Sequence, residues 1–240
     1  MKVGMFDSGL GGLTVLKEFV KKYPNNTYIY YGDTKNLPYG NKSKKELLKL
    51  VSNIISFFKN NQVDLIIIAC GTISSTCLEE IRKMTSILVY DIITPTITYL
   101  KTLDKNNIAI FATQTTINTH IFKSNLKNKN LIEIATSELV PMIENNKIDI
   151  GIIKNYCNLI TTTDVLVLGC THYPLIEKHL KMCLPNVLIM NMAFPLLNSL
   201  KLSNNSTNKV NLCFSKVDKL LENNIRRILN FSYSLEEKQI

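Results

Sequence analysis

Two cysteines in this chain stand where chemistry can be done on them. In DLIIIACGTISSTCLEEI, from Asp64 to Ile81, an apolar run ends at Cys70, and Gly71 and Thr72 can open a helix. The arrangement returns as DVLVLGCTHYPLIEKHL, where Asp164, Cys170 and Glu177 take the places of Asp64, Cys70 and, nearly, Glu79. At the C-terminal end of a parallel strand a side chain faces the ligand crevice, and the next helix aims its first amides into the same space. Such amides favour a thiolate, and a thiol on the far side of a cavity can donate a proton. A pair of this kind can take a proton from one face of a carbon and return one to the other, which inverts a stereocentre without a cofactor. The plain alternative is a small buried apolar side chain, the ordinary fate of a free cysteine. Two cysteines at matching places favour the pair.

Neighbouring residues bear on this chemistry. Asp7 and Ser8, in FDSGLGG, end a strand beside a glycine-rich turn whose amides can approach an anion, a weak signal by itself. His172 follows Cys170 by two positions and can share its proton, although a lone histidine is more often structural. The other cysteines, Cys77, Cys157, Cys183 and Cys213, form no CxxC pair and no cluster with histidine. No metal site and no disulfide framework is therefore expected.

The elements that must position these residues follow an α/β rhythm. Apolar, β-prone runs lie at Val3–Phe6, Thr27–Tyr31, Asp64–Ala69, Ile87–Ile92, Ile108–Ala112, Asp164–Gly169 and Val187–Met190. Helical patterns lie at Gly12–Lys22, Lys44–Asn60, Ser74–Met84, Ile117–Lys127, Leu175–Leu184 and, in the tail, near Leu220–Leu229. Strands buried on both faces and alternating with helices predict an α/β fold with mainly parallel sheets. MFDSGLGGLTVL and IFATQTTINTHIF open two similar halves, each leading to its own strand and cysteine. Pro95 and the polar DKNN at 104–107 place the division near 93–107. The expected units are residues 1–95 together with a returning tail, 205–240, and residues 96–204.

Composition narrows the function classes. A chain of 240 residues with 45% hydrophobic residues can bury a full core. No apolar run reaches the roughly 18 residues of a membrane span, and MKVGMFDSG lacks a secretory apolar segment, so a cytoplasmic protein that meets no membrane is expected. The net charge of +9 invites a nucleic-acid reading, but only Arg82, Arg226 and Arg227 among the 28 basic residues carry the guanidinium fork that recognition of phosphate and bases favours. Dispersed lysines read as a solvated surface, and no nucleic-acid partner is expected.

Taken together, five segments resemble the cofactor-independent glutamate racemases of the aspartate/glutamate racemase superfamily. They are FDSGLGGLTV at 6–15, YGDTKNLPYGNKS at 31–43, IIACGT at 67–72, VPMIE at 140–144 and LGCTHYPL at 168–175, in the family's order across about residues 1–195. The resemblance implies two pseudo-symmetric α/β domains with the active site in the cleft between them. Cys70 and Cys170 would be the paired acid and base, with Asp7 assisting on the Cys70 side and Glu144 with His172 on the Cys170 side. Ser8, Tyr39, Gly40, Gly71, Thr72, Thr113, Thr116 and Thr171, together with Asp7 and His172, would meet substrate. It further implies interconversion of L- and D-glutamate with no cofactor, supplying D-glutamate for peptidoglycan, and a homodimer of unspecified arrangement.

The chain departs from the family pattern at defined places. Gly71 stands where the family usually has asparagine, Thr94 where it has glutamate, and NMAF at 191–194 replaces an acidic segment. These departures keep open a racemase for aspartate or another amino acid, and a catalytically weak amino-acid-binding paralogue. If the backbone at Gly71 needs no positive φ, Gly71→Asn is expected to raise activity on glutamate by restoring a hydrogen bond.

Overall fold

The computed structural model describes residues 1–203 and 207–240. The chain runs β1 (Lys2–Asp7), α1 (Leu13–Lys22), β2 (Thr27–Gly32), α2 (Lys44–Asn60), β3 (Leu65–Ile68), α3 (Gly71–Thr76), α4 (Leu78–Met84), β4 (Leu88–Asp91) and α5 (Ile93–Thr102). There follow β5 (Asn107–Ala112), α6 (Gln114–Asn118), α7 (Ile121–Asn125), β6 (Asn130–Ala135), α8 (Leu139–Glu144), α9 (Ile150–Asn158), β7 (Val165–Leu168), α10 (Glu177–Cys183), β8 (Leu188–Asn191) and α11 (Ala193–Ser199). Last come β9 (Lys209–Phe214), α12 (Lys219–Ile228) and β10 (Ser234–Glu237).

The strands form two sheets in which every pairing is parallel, ordered β10-β9-β2-β1-β3-β4 and β6-β5-β7-β8. The orders β2-β1-β3-β4 and β6-β5-β7-β8 are one topology used twice. Register repeats as well: Phe6 of β1 lies opposite Ile68 of β3, and Phe111 of β5 opposite Leu168 of β7. Each cysteine therefore comes two residues beyond the last pairing of its strand. It sits at the switch point where the strand order reverses, the place at which open parallel sheets bind ligands.

The side chains alternate between two packing partners. Met5, Ile67 and Ala69 join Ile110, Ala112 and Val167 in a core that runs between the sheets, helped by Leu196 of α11 and Ile225 of α12. On the outer faces, Phe6, Ile68 and Cys70 pack with Phe58 of α2, and Phe111, Leu168 and Cys170 pack with Ile153 of α9. The runs LIII and VLVL are buried at every position, which is why they read as unbroken apolar stretches.

Several expectations are revised. The helix read across Ser74–Met84 breaks at Cys77 into α3 and α4, and the one read across Ile117–Lys127 breaks at His120, whose φ is 52°. Pro95 does not end an element: it lies in the first turn of α5, where its missing N–H costs no helical bond. Asp91 Oδ1 accepts from the Ile93 and Thr94 amides and anchors that turn. The division placed at 95/96 thus falls inside α5, and the division placed at 204/205 lies outside the described residues. Strands β9 and β10 extend the first sheet through β2. Among the described residues no helix is long and apolar enough to cross a membrane.

Candidate active site

A cavity of about 400 Å³ opens between the C-terminal ends of the two sheets, with Cys70 and Cys170 both in its lining. They are nearly closed off from solvent, at 4% and 7% exposure. No lysine or arginine among the described residues lines it; its charged groups are Glu138, Glu144 and His172. An anionic guest must be held by amides and hydroxyls, which Ser8, Thr72, Thr113 and Thr171 supply here.

On the Cys170 side a short chain of contacts runs back into the protein. His172 Nδ1 lies 3.5 Å from Cys170 Sγ, and its Nε2 lies 2.9 Å from Glu144 Oε1. Glu144 is the last residue of α8, and His172 belongs to the turn that follows β7. Burial alone would favour the neutral ring, but the hydrogen bonds and charges of Cys170 and Glu144 overcome it and hold the imidazolium well above the usual histidine range. A raised folded value means stability that is full below the ordinary histidine pKa of about 6.5 and is lost as pH rises through the folded value. The melting temperature of His172→Asn should therefore fall less between about pH 6 and about pH 9 than that of the unmodified protein. Parallel melting curves for the two proteins would contradict this.

On the Cys70 side the nearby backbone amides of Ile73 and Ser8 pull toward thiolate. Burial, then the charge of Asp7, outweigh them and push the thiol well up. Cys70 thus rests as a thiol, while Cys170 rests against an imidazolium. Asp7 is wholly buried behind the cavity wall, where burial raises its own pKa against the lowering effect of His172. It accepts from the Gly12 amide at 3.0 Å and from the Thr171 hydroxyl at 3.2 Å. Thr14 Oγ1 donates to the Thr171 carbonyl at 2.9 Å, so residues near β1 fix both ends of Thr171.

Two further devices shape the walls. The hydroxyls of Thr72, Thr113 and Thr116 form a chain with 3.0 Å steps across the two halves. Tyr39 donates to the buried Asp33 at 2.6 Å, and the Thr115 hydroxyl donates to the carbonyl of Gly40. The expected residues Ser8, Tyr39, Gly40, Gly71, Thr72, Thr113, Glu144, Thr171 and His172 line the cavity with the two cysteines, whereas Asp7 and Thr116 stand behind it. Leu37, Pro38, Asn41, Val140, Pro141, Gly169, Ser137 and Glu138 also line it and were not singled out by sequence. Ser137 and Glu138 follow β6, and a strand recognised there would have placed them at the crevice. Thr94 and residues 191–194 open α5 and α11 and do not line the cavity.

The expectation for Gly71 meets a steric obstacle. Its φ is not positive, so the backbone would accept a side chain. A Cβ there, however, would lie 2.7 Å from the Gly169 carbonyl oxygen. The bare backbone is what lets the residue after Cys70 meet the residue before Cys170. Gly11 plays a related part, since a Cβ on it would collide with the Thr171 hydroxyl and come within 2.6 Å of His172 Nδ1.

Two copies of one parallel α/β topology place a thiol at each switch point, and both thiols face one shared cavity. Residues 15–194 match the family model described as Asp/Glu/Hydantoin racemase, and the chain belongs to that family. A glutamate racemase from Fusobacterium nucleatum is 39% identical over 233 residues, covering 89% of this chain and 87% of that protein. The glutamate racemase structure from Campylobacter jejuni superposes with a TM-score of 0.87 at 31% identity, covering 95% of this chain and 97% of the other. That from Francisella tularensis in complex with D-glutamate gives 0.88 at 26% identity, covering 100% and 97%.

Proposed function

We propose that this racemase interconverts L- and D-glutamate without a cofactor, using Cys70 and Cys170 as the two proton-transfer groups and supplying D-glutamate for peptidoglycan. The observation that carries the reading is the placement of both thiols on one cavity, each at the switch point of its own sheet. The names of the similar proteins, and the D-glutamate of the Francisella tularensis complex, support the choice of substrate.

The reaction can be followed atom by atom. The thiolate on one face removes the proton from Cα, forming S–H as the C–H bond breaks. The thiol on the other face then gives its proton to Cα, leaving the configuration inverted and the two sulfurs in exchanged protonation states. His172, held by Glu144, lies within reach of the Cys170 sulfur to share its proton, and the buried Cys70 begins as the donor when Cys170 is the group that abstracts. Because the α-proton of an amino acid is a very weak acid, oriented amides and hydroxyls must hold the carboxylates as charge develops.

Chiral analysis of a panel of L-amino acids incubated with the purified protein tests this directly. Glutamate should be inverted fastest, with no pyridoxal phosphate, nucleotide or metal added. Faster inversion of aspartate would move the assignment to a different substrate. Activity lost on dialysis against a chelator and restored by metal, or a pyridoxal absorbance band that tracks activity, would end the cofactor-independent reading.

A further inference from the structure

The Cys170–His172–Glu144 chain does not stop at the carboxylate. Glu144 ends α8, and the last carbonyls of a helix have no partner within it. Its carbonyl instead accepts a 2.8 Å hydrogen bond from Nδ2 of Asn224, on α12. Asn224 is itself 4% exposed, and its Oδ1 accepts from Asn146 Nδ2 at 2.8 Å. Asn146 continues the chain two residues beyond Glu144 in a left-handed conformation, φ 55°, and the Arg227 guanidinium of the next turn of α12 donates to its amide oxygen.

The setting makes this contact informative. Helix α12 connects β9 to β10 of the first sheet, and Leu221, Ile225 and Ile228 sink into the core between the sheets. Amid these apolar neighbours a buried amide costs stability unless both ends are bonded. Both ends of Asn224 are bonded, and both bonds go to the turn that leaves α8. That turn carries the carboxylate facing His172. Asn224 also lies outside residues 15–194, the span the family model matches.

We infer that Asn224 is a positioning residue for proton transfer at Cys170, acting from the C-terminal helix by fixing the end of α8 so that Glu144 holds His172 against the sulfur. The inference rests on the proposed two-thiol racemase, so its test has one arm that needs no substrate. The variants are Asn224→Ala and the near-isosteric Asn224→Asp, which keeps an acceptor for Asn146 but cannot donate to Glu144.

In the first arm, iodoacetamide alkylation of each cysteine is followed by mass spectrometry in the folded proteins. The rate at Cys170 should fall about three- to tenfold, the scale of one hydrogen bond, while the rate at Cys70 stays unchanged. In the second arm, the primary deuterium isotope effect on kcat/KM is measured with α-deuterated L- and D-glutamate. It should rise for one enantiomer only, because only the proton transfers of Cys170 are slowed. Unchanged alkylation in a folded variant overturns the inference, and so does an equal slowing at both thiols, which would mean general loosening. If the alkylation result appears but the unmodified protein inverts no glutamate, the positioning role stands and the proposed function falls.

Discussion

Cys70→Ser and Cys170→Ser should each lower glutamate racemisation by about a thousandfold or more, to the limit of detection, with the fold intact. A general acid or base in the right place contributes about 10²–10⁴-fold, and a serine hydroxyl is a far weaker acid than a thiol. Inversion uses both faces in every turnover, so neither sulfur can replace the other. The two variants should differ in what survives. Each retains one sulfur able to exchange the α-proton with solvent on its own face, so deuterium from heavy water should enter one enantiomer in the first variant and the opposite enantiomer in the second. Near-normal racemisation in either variant would remove that cysteine from the mechanism. Deuterium entering the same enantiomer in both would break the assignment of one thiol to each face.

The central strands were legible because of where they lie. Leu65–Ile68 and Val165–Leu168 are covered by helices on both sides, so no polar residue interrupts them, and the pattern alone places the cysteine after each at a crevice. Edge strands do not carry this signal. In NLIEIA of β6 and SLEE of β10 polar residues fall among apolar ones, because one edge or face meets solvent. With β6 unread, Ser137 and Glu138 had no address. Helix α5 was hidden by Pro95, which read as marking a division but stands in a first turn anchored by Asp91; α11, also unread, carries Pro195 in a first turn anchored by Asn191. The contact of Asn224 with Glu144 links residues 80 positions apart, and nothing local in either segment foretells it.

Gly71→Asn should lower kcat/KM for glutamate about ten- to a hundredfold, although the added amide can make a hydrogen bond. Two terms compete at this position. One good hydrogen bond to a charged substrate group is worth about 1.5–3 kcal/mol. Against it, the new Cβ would stand 2.7 Å from the Gly169 carbonyl oxygen, closer than the 3.0 Å below which a neighbour must move. The neighbour here is backbone and cannot rotate away. Overpacking of this kind costs about 1–3 kcal/mol in stability, so the two terms are similar in size. What decides the sign is where the displacement goes. Gly169 precedes Cys170 directly and Gly71 follows Cys70 directly, so relief of the clash must spread the two thiols. Misplacement by about 1 Å at a reacting centre can cost about a hundredfold in rate. Gly71→Ala separates the terms, because it brings the same Cβ with no amide. Both variants should lose activity, and both should melt below the unmodified protein. A gain in kcat/KM for Gly71→Asn alongside a loss for Gly71→Ala would show that the hydrogen bond outweighs the contact, and the close approach of Gly71 to Gly169 would then not set the spacing of the thiols.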